Sequence, residues 1–160
     1  MGVLLPTSHN KMTAIEMLDH HRLARFSSDL LPRIRHQFLM CWEHATAHEN
    51  VYITSVLRYR PPKNRDPKPS EIGAVQPFLD EQIKIIKPKV IATLGRYSLK
   101  KFLLDAKIAQ VHGQPQKIKW NGLNLTIIPL YHPAAVIYNR SLQKTLEEDF
   151  QTIRKVLKIK

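Results

Sequence analysis

Apolar positions along this chain change their spacing near residue 50. Before it they recur at helical intervals: Ile15 and Leu18 with Met12 in one stretch, then Leu31, Ile34, Phe38 and Cys41 with Trp42 in another. Steps of three and four residues stack side chains on one helix face. This spacing predicts helices over residues 13–26 and 30–48. Ser27-Ser28-Asp29 supplies cap residues for the second, which tolerates Pro32 in its first turn. After residue 50 the run Val51-Tyr52-Ile53-Thr54-Ser55-Val56-Leu57 is apolar and β-branched, with Pro61-Pro62 beyond it. It predicts a buried strand over 51–57. Lys89-Val90-Ile91-Ala92-Thr93-Leu94, closed by Gly95, predicts another. Between them Ser70 opens a helix over 70–87 that is expected to bury Val75, Phe78, Leu79, Ile83 and Ile86.

A strand, a helix and a second strand in succession make a right-handed parallel crossover, so the expected fold class is α/β, a mainly parallel sheet with helices on its faces. A short helix is expected over 96–104. Residues 118–120 and 123–128 flank Asn121-Gly122, a strong hairpin signal. Residues 129–138 are expected as a loop. A final helix from Ser141 places Leu142, Leu146, Phe150, Ile153 and Leu157 toward the core.

The 160 residues, 43% of them hydrophobic, suit one domain with one core, taken here as 1–160. The net charge of +12 points to a polyanionic partner, nucleic acid first. The single cysteine, Cys41, excludes an internal disulfide and any all-cysteine metal site within the chain. No apolar run is long enough to span a membrane, and Val3-Leu4-Leu5 is too short for a secretion signal. A cytoplasmic monomer, nucleoid-associated in a prokaryote, is expected. No glycine-rich phosphate loop suggests a nucleotide cofactor.

Chemistry is expected where parallel strands end at their carboxyl edge. The segment 58–70 gathers Arg58, Arg60, Lys63, Arg65 and Lys68 with Asn64 among several prolines. It reads either as a stiff solvated linker or as a rigid edge laid along a nucleic-acid backbone. At the end of a later strand stands Tyr131-His132-Pro133. A histidine before proline is held extended, and its imidazole could donate a hydrogen bond to charge developing on a leaving group. Asn139 and Arg140 follow and could meet phosphate. His44 and His48 have metal-capable spacing near Cys41, but no third ligand joins them. A buried cysteine on a surface helix is the simpler reading. His20 and His21, adjacent on a helix, would point apart.

Val51-Tyr52-Ile53-Thr54, Arg60-Pro61-Pro62-Lys63-Asn64-Arg65, Glu71-Ile72, Pro77-Phe78-Leu79, Lys87-Pro88-Lys89-Val90-Ile91, Leu94-Gly95 and Tyr131-His132-Pro133-Ala134 follow in a specific order. Across roughly residues 50 to 157 this resembles family-four uracil-DNA glycosylases, the iron–sulfur branch. The resemblance implies a three-layer α/β/α domain with about four parallel strands. It implies excision of uracil from DNA after base flipping, with residues 1–49 as a divergent amino-terminal part. His132 would contact the uracil carbonyl as the catalytic residue. Ser55 and Gly95 would lie against the base, with Phe26 stacking on it. Arg60, Lys63, Asn64, Arg65, Arg96, Pro133, Ala134 and Arg140 would bind DNA, and Ala134, Ala135 and Val136 would supply a groove wedge.

The departures are specific. The family's cluster takes four cysteines; Tyr59 and Val75 stand at two of those positions and the early pair is missing, so no cluster and no other cofactor are expected. Ser55 replaces the asparagine that reads uracil. The G-E-G-P-G loop that positions water is not found; Val3-Leu4-Leu5 before Pro6-Thr7-Ser8-His9-Asn10 is the expected remnant of the first strand and its loop, with His9 or Asn10 near the water. Two functions stand side by side: an active, cluster-free glycosylase for uracil or a related deaminated base, and a degenerate relative that binds DNA or senses damage. General RNA binding is a third.

Overall fold

Val90-Ile91-Ala92-Thr93-Leu94 is buried at every position, as a strand covered on both faces must be. In a computed structural model that describes residues 14–18, 51–57, 59 and 61–158, this segment is the middle strand of a five-stranded sheet. The strands are β1 (Ala14–Leu18), β2 (Val51–Ser55), β3 (Val90–Leu94), β4 (Gln116–Trp120) and β5 (Leu123–Leu130), in the spatial order β2-β1-β3-β5-β4. β2, β1, β3 and β5 run parallel, and β4 joins the far edge antiparallel to β5. The expected parallel sheet of about four strands is thus present, with one antiparallel strand added.

Helices are α1 (Pro69–Ile86), α2 (Arg96–Lys100), α3 (Ile108–Val111), α4 (Ala134–Tyr138) and α5 (Leu142–Leu157). One face of the sheet carries Ile91, Leu125 and Ile127 against Leu79 and Ile83 of α1. The other carries Val90, Ala92, Leu94, Ile128 and Leu130 against Leu146, Phe150 and Ile153 of α5. Residues alternating along β3 therefore feed two cores, and burying each Ile or Leu contributes about 1.5–3 kcal/mol. Asn121 and Gly122 both take positive φ, 45° and 81°, as the tight turn between β4 and β5 requires.

Three expectations are corrected. Residues 14–18 are a strand, not part of a helix over 13–26. Ile15 and Leu18 are too few to fix a period, and two parallel neighbours, Val51–Ser55 and Val90–Leu94, decide the conformation. The place beside β2 expected for Val3-Leu4-Leu5 is taken by β1; residues 3–5 lie outside the described residues, as do the expected helix over 30–48, His20, His21, Cys41, His44 and His48. Second, the loop expected over 129–138 contains α4. Pro133, with φ −52°, is already set for a helix start, and Ala134 and Ala135 continue it. Third, Phe78 is 64% exposed on the outer side of α1 instead of buried with Leu79.

Candidate functional site at the carboxyl edge of the sheet

Leu18 is level with Ser55 on one side and Leu94 on the other, and Leu94 with Leu130. Four parallel strands therefore end on one line. The chain leaves β1 toward β2, then returns across to β3 on β1's other side, so the strand order reverses at this edge. Open α/β sheets form their binding crevice at such a reversal. Ser55, Gly95 and His132, from three separate stretches of sequence, are gathered there.

His132 follows β5 and is 1% exposed. Its Nδ1 accepts the backbone N–H of Ala134 at 3.1 Å. A neutral imidazole that accepts at Nδ1 carries its proton on Nε2, which is the donor. The His132 carbonyl accepts the Ala135 N–H at 2.7 Å. Pro133 and α4 thus lock both backbone and tautomer of the histidine. Gly95, φ 94°, donates its N–H to the Leu130 carbonyl at 3.0 Å and begins α2. It ties the ends of β3 and β5 together in a backbone conformation that favours glycine.

Ser55 turns on its own chain. Its hydroxyl donates to the Leu57 carbonyl at 2.8 Å and accepts the Leu57 N–H at 3.3 Å. Arg65 lies half-buried, with both guanidinium ends on Glu71 at 2.6 and 2.8 Å. Glu71 also accepts the Lys68 N–H at 2.8 Å, so one carboxylate caps α1 and holds the basic segment. The Arg65 hydrogen bond, then that from Lys68, hold its carboxyl down at about 2. Arg96 is ion-paired with Asp66 of the same segment and hydrogen-bonded to the Tyr97 hydroxyl at 2.8 Å. Two of the cations expected to meet DNA are therefore engaged within the protein. Lys63, in a left-handed turn, and Arg140 are exposed and carry no ion pair among the described residues.

Pro133 and Ala134 are buried, and Val136 packs into the α5-side core. Ala134 and Val136 are turned into the protein at this position; among the described side chains of α4, Tyr138 is exposed, at 75%. Asn139 does not face solvent alone: its Oδ1 accepts the Ser141 N–H at 3.1 Å and hydroxyl at 2.7 Å. Phe26, Arg60, His9 and Asn10 lie outside the described residues, and of Asn64 the backbone alone is described.

The sequence reading missed a pair at the same edge. β4 runs antiparallel, so its beginning lies beside the end of β5. There His112 Nδ1 stands 2.9 and 3.1 Å from the carboxylate oxygens of Asp149 on α5. Burial pushes the Asp149 carboxyl above its ordinary value, and His112 pulls against that shift. The signal was present: Asp149 falls on the apolar stripe of the last helix, between Leu146 and Ile153.

Comparison with known proteins follows the same geometry. The profile of the Uracil DNA glycosylase superfamily matches residues 13–158, from the residue before β1 to the residue after α5. The chain belongs to the uracil DNA glycosylase superfamily. It is 45% identical over 113 residues to the Type-4 uracil-DNA glycosylase of Sulfurisphaera tokodaii, covering 68% of this chain and 51% of that protein. It is 41% identical over 121 residues to the Type-4 enzyme of Saccharolobus solfataricus, covering 71% and 55%. For that of Thermotoga maritima the identity is 40% over 121 residues, covering 72% and 61%. The chain spans little more than half the length of these curated relatives.

A uracil-DNA glycosylase resembling family four would hold an iron–sulfur cluster through thiolates. At the two positions that the resemblance gives to its ligands, this member has the phenol of Tyr59 and the branched hydrocarbon of Val75. The Tyr59 hydroxyl is pushed above its ordinary pKa by loss of solvation, then by the charge and hydrogen bond of Glu71. Val75 is half-buried on α1. Neither is an iron ligand of that kind, so the residues do not fit the cluster.

Proposed function

We propose that this protein hydrolyses the base–sugar bond of uracil, or another deaminated base, in DNA, after turning the nucleotide out of the stack, and does so without a cluster. The observation that carries the reading is His132. It is buried at the carboxyl edge with Nδ1 accepting from the Ala134 N–H, so Nε2 carries the proton that would be donated to a base carbonyl. As the bond breaks, negative charge collects on the leaving base. A preorganised donor in a dry site stabilises that charge more than it stabilises the neutral substrate. Lys63 and Arg140 would neutralise backbone phosphates on either side, with affinity falling as salt rises.

Water must be directed at the sugar from the chain that follows β1. Since β1 is Ala14–Leu18, the sequence beyond it begins Asp19-His20-His21, and Asp19 is the first carboxylate proposed for that role. It stands beside the expectation at His9 and Asn10, which lie outside the described residues.

The deciding experiment is a base-release assay. Single- and double-stranded oligonucleotides carry one uracil, hypoxanthine or xanthine, and abasic sites are cleaved with alkali. Release by the wild type, lost in both His132→Ala and Asp19→Asn, supports the reading; release unchanged in His132→Ala overturns it. Iron content and visible absorption of the purified protein check the absence of a cluster.

One observation favours the second reading, a degenerate DNA-binding relative. The Ser55 hydroxyl is turned onto Leu57 and lacks the paired donor and acceptor of an amide. Salt-sensitive DNA binding with no release of any of the three bases would establish it.

A further inference from the structure

Two contacts reach the end of β5 from the opposite side to Gly95, and a third anchors them to α5. The Gly113 N–H donates to the Pro129 carbonyl at 2.8 Å. The His112 ring lies 4.9 Å from the Tyr131 ring, centre to centre, tilted by 41°. His112 Nδ1 is held on Asp149, whose residue is 6% exposed. Gly113 has φ +67°, and a Cβ there would land on Asp149 Oδ1. Glycine is therefore favoured twice over, by the left-handed turn and by the carboxylate that a larger residue would displace.

We infer that His112 and Asp149 are positioning residues for His132: together they clamp residues 129–131 against α5 and so fix where the Nε2–H of the next residue points. This rests on the proposed role of His132. The reasoning is mechanical. β5 ends at Leu130, and beyond it the chain has no ladder to hold it. Pro133 and α4 hold the histidine from behind; Tyr131, its ring tilted against that of His112, is the residue ahead. The pair touches neither the base nor the sugar in this assignment. The buried carboxylate sets the imidazole plane, and the plane sets the Tyr131 ring. A hydrogen-bond donor displaced by about 1 Å can lose up to about a hundred-fold in rate.

The test uses the full chain labelled with 15N-histidine, with the His132 signals assigned by their loss in His132→Gln. Long-range nitrogen–proton spectra report the tautomer and environment of His132 whether or not base release is found, so failure here is distinct from failure of the glycosylase reading. His112→Ala is expected to shift or broaden the His132 signals. Where the wild type releases base, it is expected to lower kcat by about ten- to a hundred-fold with little change in KM. His112→Asn, whose amide nitrogen sits near the place of Nδ1 and can still donate to Asp149 but which has no ring for Tyr131, is expected to recover part of both. If His112→Ala does not fold, Asp149→Asn against His112→Asn makes the same comparison. His132 signals unmoved in His112→Ala overturn the inference, whether kcat is kept or lost. His112→Asn no better than His112→Ala removes Asp149 from the clamp and overturns it too.

Discussion

Arg65 and Glu71 face each other in a two-pronged pair, six residues apart, across the start of α1. The pair joins the basic segment to the helix and leaves the guanidinium little freedom to reach outward. Glu71, held at about 2, is more acidic folded than unfolded. A depressed carboxyl contributes stability that is present above its unfolded value and lost as pH falls through the folded one. Thermal melts of wild type and Glu71→Gln should therefore differ above about pH 4.5 and converge toward pH 2. Equal separation at pH 2 and pH 7 would show that the pair is not the cause.

The same pair separates two lysine- and arginine-based effects. Lys63→Ala should lower the slope of log affinity against log salt by roughly one, on any DNA sequence. Arg65→Ala should leave that slope nearly unchanged and make residues 61–68 easier to cleave with protease. Filter or anisotropy titrations over a salt series measure the first, and limited proteolysis the second. Identical slopes for the two variants would return Arg65 to the DNA.

His132→Ala should reduce base release by about 100- to 1,000-fold, the loss typical of removing one preorganised donor. Single-turnover rates with excess enzyme give the chemical step directly, and a fall confined to KM would contradict the assignment.

Gly113→Ala should destabilise the fold by about 1–2 kcal/mol from the left-handed backbone alone. The added methyl also meets Asp149, so the total loss should exceed that of Gly122→Ala, where nothing lies within 4 Å of the new Cβ. Urea denaturation of the two variants compares them.

Tyr138→Ala should weaken binding to double-stranded DNA more than to single-stranded DNA if the exposed ring enters the stack, as inserted side chains do. Equal weakening on both would assign the ring to the surface of a single strand instead.

The strands from residue 51 onward and the helices over 69–86 and 142–157 are legible because their patterns are long or buried on both sides. Val90–Leu94 has no polar alternation to misread, and Asn121-Gly122 names its own turn. β1 was not legible. Five residues carry too little periodicity, and their conformation is decided by strands that lie far along the chain. His132 could be picked out because proline follows it. His112 could not, since only the antiparallel return of β4 brings it to Tyr131. The charges could be counted but not paired, because a sequence does not say which arginine has already found its carboxylate.

β2 meets the rest of the sheet through β1 alone. A polypeptide beginning at residue 50 would hold every segment of the family resemblance, yet its sheet would have a gap one strand wide. Five residues act as the keystone. Without Ala14–Leu18, β2 and β3 would lose the parallel neighbour they share, and Ser55 and Gly95 would no longer be held on one sheet edge.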